Sequence, residues 1–145
     1  MPTAKDELTR SMDELQVALA GIPEERVDEA GVCGDWSVKD LVHHLAYWEN
    51  DTAEGLERKL AGQPETDRGD GEWWLLINDA IAPTWTSRTY QDARRELTDA
   101  RARLLNALDG FKAGEQPDVA EETWTHYDEH LVDIDRWKVE SGLPR

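Results

Sequence analysis

His126-Tyr-Asp-Glu-His130 is the segment whose residue types and spacing most clearly point to chemistry. On a helix, residues four apart stand one above the other on the same face, so both imidazoles can reach a single ion. The pair shares its line with Ile134 and Trp137, which places it on the apolar stripe and not among the acids Asp128 and Glu129. His44 joins it from an earlier helix. On a wheel centred on Leu41, Leu45, Trp48 and Thr52, His44 falls at the edge of the buried stripe, while His43 falls nearly opposite, toward solvent. Three inward imidazoles are costly to bury without a shared partner. A divalent cation is such a partner, and three protein nitrogens plus one open position is the arrangement of a catalytic or ligand-binding metal site. Zinc is the first assignment, and nickel or iron would also accept imidazoles.

Carboxylates near these rings are candidates to hold the second ring nitrogens. Asp133 lies near the face of His130, and Asp40 and Asp51 lie one to two turns from His44. In so acidic a chain, the plainer expectation is that all three are solvated surface acids. Tyr47, Tyr127 and Trp48 are candidates to line the pocket, although plain core packing is the expectation for Trp48 and Trp137 even where one edge touches a ligand. Cys33, the single cysteine, sits in a Gly-Val-Cys-Gly loop. One thiol there is a weak candidate nucleophile and excludes an internal disulfide.

The elements that must position these residues read as helices. Leu8, Met12, Leu15, Leu19 and Ile22 recur at helical steps after a Thr3/Asp6 capping box, and Gly21 and Pro23 mark the stop. Ser37 and Asp40 form a second capping box for a helix reaching about Leu60, with Leu41, Leu45, Trp48, Thr52 and Leu56 as its buried stripe. Gly62 to Gly71 reads as an exposed loop. A short third helix is expected over Glu72 to Ala82, carrying Trp73, Trp74, Leu76, Ile77 and Ile81 before Pro83. A fourth begins at Ser87 or Thr89 and carries Tyr90, Ala93, Leu97, Ala100, Leu104, Leu108 and Phe111. The last starts between Asp118 and Thr125 and carries the histidine pair. Strand signals are nearly absent. The expectation is an all-α chain, a four-helix bundle with one additional short helix, forming a single domain over residues 1–145.

Composition narrows the function classes. The 145 residues include 32 acids against 16 bases, a net charge of −16. So negative a surface repels phosphate backbones and anionic lipid, which argues against nucleic acid and membrane as partners. The N-terminal segment has no apolar stretch to serve as a signal peptide, so a cytoplasmic location is expected.

The stretch Gly34-Asp-Trp-Ser-Val-Lys-Asp-Leu-Val-His-His-Leu-Ala-Tyr-Trp-Glu49 resembles the DinB-like superfamily of metal-binding four-helix bundles. That group includes the N-terminal domain of mycothiol-dependent maleylpyruvate isomerases and related thiol transferases. The resemblance rests on the tryptophan, the N-cap serine and acid, and a histidine eight residues after the tryptophan, which is His44. It continues in Thr123-Trp-Thr-His-Tyr-Asp-Glu-His-Leu-Val-Asp-Ile-Asp-Arg-Trp137, with paired histidines at His126 and His130. Trp74-Leu-Leu-Ile-Asn-Asp-Ala-Ile81 is a looser match to an asparagine-bearing third helix. The resemblance implies a complete triad of metal ligands at His44, His126 and His130. It also implies a metal-dependent transferase or hydrolase acting on a small molecule, with a low-molecular-weight thiol such as mycothiol or bacillithiol as cofactor. No catalytic residue is assigned, and no isomerase-type C-terminal domain is expected. One alternative is a protective protein that binds a small molecule in the same metal pocket without turnover. Another is a helical protein whose histidines are core. A homodimer through a helix face accords with the resemblance and with seven Trp.

Overall fold

The computed structural model describes residues 1–145 and contains five α-helices and no strand. These are α1 (Ala4–Ala20), α2 (Val38–Leu60), α3 (Trp73–Ile81), α4 (Tyr90–Asp109) and α5 (Trp124–Glu140), with 3-10 turns at Glu24–Arg26 and Ala82–Trp85. The fold class is all-α, four long helices and one short, as the helical spacing predicts. The capping boxes set the starts. The Thr3 and Asp6 side chains each accept the other residue's backbone N–H at α1, as do those of Ser37 and Asp40 at α2 and of Thr89 and Asp92 at α4. Each such box satisfies amide donors that a helix start leaves open.

The chain divides into two compact units, with the cut inside α2. The first comprises Met1–Leu41 and Pro117–Arg145. Here α1 packs against α5. Leu8, Leu15 and Leu19 of α1 are buried, as are Tyr127, Ile134 and Trp137 of α5. Each apolar side chain so buried contributes roughly 1.5–3 kcal/mol relative to exposure. Polar contacts fix the register of the two helices. Ser11 donates to Asp128, and Arg10 of α1 pairs with the same carboxylate. Lys138, also buried, donates through Nζ to the Ala18 carbonyl at the end of α1. The last turn of α1 has no base of its own, so Lys138 supplies the cation that a helix C-terminus favours.

The second unit, Val42–Gln116, contains the rest of α2 with α3 and α4. Leu45, Ala53 and Leu56 are buried on α2, and Ala93, Leu97, Ala100, Leu104 and Leu108 on α4. Glu49 is 0% exposed, and Arg101 of α4 donates to it at 3.2 Å. The expected α2 stripe is therefore corrected. Trp48 and Thr52 are only partly buried, and Glu49 and Ala53 occupy the covered face instead. A hydrophobicity wheel assigns Glu49 to solvent because it cannot see the guanidinium that receives it. No residue of α3 is fully buried, and Trp74, Leu75 and Leu76 are exposed. Asn78 of α3 accepts from the Trp48 indole N–H at 2.7 Å, and Trp73 lies 5.9 Å from the Trp48 ring.

Candidate metal centre

Within the first unit, α5 places His126 and His130 one turn apart on one face. Their Nε2 atoms are 2.9 Å apart and their rings 4.6 Å apart at 69°. On its other edge, His130 Nδ1 lies 3.1 Å from Asp133 Oδ2. A carboxylate can only accept, so this contact holds the His130 proton on Nδ1 and leaves the Nε2 lone pair facing His126. Burial pushes His126 down to about 4, with the charge His130 would carry adding to the effect. Burial also lowers His130, outweighing the upward pull of Asp133 and Glu129. Both rings are therefore neutral at pH 7, and neutral imidazole is the ligating form.

His44 is on α2, 4% exposed, with its ring edge-on to Trp85 at 6.5 Å. His44 belongs to the second unit, and His126 and His130 to the first. The pair on α5 offers two neutral ring nitrogens on one helix face, and such a pair could serve as ligands to a metal ion. The donor chemistry fits zinc, and fits nickel or iron as well.

The other candidates are distributed differently. Asp133 is engaged with His130, against the expectation of a solvated acid. Asp40 caps α2 through Ser37, and Asp51 pairs with Arg68 of the following loop. Tyr127 is fully buried, its ring 6.3 Å from that of His126. Trp48 is edge-on to Tyr47 at 5.1 Å, and Trp137 is buried beneath the Arg26 guanidinium.

His43 is the main correction. It was expected in solvent and is 2% exposed. Its ring stacks on Trp85 at 6.1 Å and 8°, and its Nδ1 lies 2.8 Å from Glu96 of α4. The wheel assumes one covered stripe, whereas all of Leu41, Val42, His43, His44, Leu45 and Ala46 are buried. This part of α2 is covered on every side.

The sequence also gave no sign of the surroundings of Cys33. Cys33, His130 and Asp133 form a second group whose ligand atoms lie within 4.8 Å of one another. Burial, then the nearby Asp133 charge, pushes the Cys33 thiol up to about 11. A thiol so placed is protonated at pH 7, which argues against the nucleophile candidate. No periodicity links a loop cysteine to a helix a hundred residues later, so spacing could not have found this cluster.

A family model for the mycothiol maleylpyruvate isomerase N-terminal domain matches residues 8–132. The chain belongs to that family. The match spans all three histidines and most of the helical chain, and it bears out the resemblance read from the motifs around Trp36 and His126. No curated protein matches the sequence. A crystal structure of an uncharacterised protein from Escherichia coli UTI89 is similar, with a TM-score of 0.77 and 17% identity over 96% of this chain and 92% of that one. At that identity the likeness shows the fold alone. No helix of this family member is long and apolar enough to cross a membrane.

Proposed function

We propose that His44, His126 and His130 hold one divalent ion, zinc in the first instance, and that the chain is a metal-dependent transferase or hydrolase acting on a small molecule. A low-molecular-weight thiol is the proposed co-substrate. That part rests on the family's description, which names mycothiol. The observation that carries the reading is the pair of Nε2 atoms 2.9 Å apart on two imidazoles kept neutral by burial.

Bound there, the ion would lower the pKa of a thiol or water in its open position. The chain's own residues do the remaining work. Asp133 fixes the His130 tautomer, and the helical repeat of α5 sets the ring spacing of the pair. Trp85 lies against the His44 ring. The net charge of −16 favours a small neutral or cationic substrate over a nucleic acid or an anionic surface.

Elemental emission on the purified protein tests the metal, and single-turnover assays with a panel of thiols and electrophiles test the activity. One equivalent of metal in the wild type, lost in His126→Ala, is the expected result. Absence of bound metal from the wild type would refute the metal reading. Tight ligand binding with no turnover would leave the metal standing and turn the assignment to a protective binding protein.

A further inference from the structure

The Cys33 loop is built to sit against α5. Val32 and Cys33 both donate to the Trp36 carbonyl, at 2.9 and 3.4 Å, and Trp36 donates back to Cys33 at 3.0 Å. This closes a tight turn. Gly31 at φ 104° and Gly34 at φ 58° flank it, in a region of backbone space that side chains with a Cβ rarely enter. Arg136 of α5 donates to the Val32 carbonyl at 2.7 Å, which ties the turn to the helix one turn beyond Asp133. The thiol thus comes within 4.8 Å of ligand atoms on Asp133 and His130, through contacts wholly inside the first unit.

We infer that Cys33, Asp133 and His130 form a second cation site, selective for thiophilic ions and in competition with the three-histidine group for His130. The donor set is one sulfur, one imidazole nitrogen and one carboxylate oxygen, which suits zinc and cadmium and disfavours magnesium and calcium. The ligand edge of His130 in this site is Nδ1, the nitrogen facing Asp133, whereas Nε2 faces His126. A neutral imidazole has one lone pair, so His130 serves one set at a time. Occupancy therefore moves three protons. The Cys33 thiol releases its proton to solvent as the sulfur–metal bond forms, the His130 proton passes from Nδ1 to Nε2, and the His126 proton passes from Nε2 to its own Nδ1 so that His126 Nε2 can accept from His130. Asp133 changes from hydrogen-bond acceptor to ligand.

Titration with cadmium chloride, read by the thiolate-to-cadmium charge-transfer absorption in the ultraviolet, tests the site, because no imidazole contributes to that band. Wild type and His126→Gln are titrated alongside Cys33→Ser, Asp133→Asn and His130→Ala, with far-ultraviolet circular dichroism as the check on folding. The band should saturate at one equivalent in His126→Gln, where competition from the histidine group is weakened, and vanish in Cys33→Ser. The midpoint should move at least about tenfold higher in cadmium for Asp133→Asn and for His130→Ala, a loss of the size seen when a ligand's support is removed. Absence of the band from both wild type and His126→Gln overturns the inference. So does a band as tight in Asp133→Asn and His130→Ala as in wild type, since a lone thiol then accounts for it. Cys33→Ser retains all three histidines, so its zinc content by emission reports on the three-histidine reading separately.

Discussion

His130 and His43 both bury an imidazole against a carboxylate through Nδ1, and they differ in what the opposite ring nitrogen meets. His130 Nε2 faces the Nε2 of His126 at 2.9 Å. His43 Nε2 is buried with no hydrogen-bond partner, and its ring is spent on stacking against Trp85. Burial of a histidine is therefore not the mark of a site. Convergence of a second lone pair with other donors is. The Glu49–Arg101 pair extends the comparison, because there a buried charge is met by an opposite charge inside the same unit, which is a structural use of a polar group.

The largest expected effect sharpens that structural use. Arg101→Met removes the guanidinium from a carboxylate that is 0% exposed and should destabilise the fold by about 3–5 kcal/mol in denaturant titration. Bound metal per folded molecule should be unchanged. A cost below about 1 kcal/mol would show that Glu49 does not depend on this pair.

Next comes the pH response of the metal-free protein. Burial holds folded His126 at about 4, below the unfolded value near 6.5. Between those values the unfolded chain binds more protons, so stability is full above pH 6.5 and falls as pH drops toward 4. The loss from this residue is on the order of 3 kcal/mol. Urea titrations across that window should show the slope, and His126→Gln should flatten it. An unchanged slope in that variant would place the acid sensitivity elsewhere.

The smallest effect breaks or keeps the comparison outright. His43→Phe preserves a ring against Trp85 and removes one hydrogen bond to Glu96, which retains its ion pair with Arg88. The cost should be about 0.5–1.5 kcal/mol, with metal content by emission equal to wild type. Loss of the metal would mean that the two histidine environments are not distinct in kind.

The legible part of this protein is its local chemistry. Capping boxes at Thr3 and Ser37 and helical spacing of Leu and Ala decide the helices, since hydrogen bonds within four residues and side-chain periodicity are properties of the chain itself. The same locality makes His126 and His130 neighbours before any tertiary contact forms. Tertiary structure decided the rest. It put His43 and Glu49 in the interior, because Glu96 and Arg101, about fifty residues away along the chain, receive them. It also brought Cys33 to Asp133 through one arginine–carbonyl bond across more than a hundred residues. A polar side chain's burial depends on whether a distant partner compensates its lost hydration, and a hydropathy pattern carries no record of which partners the folded chain will bring.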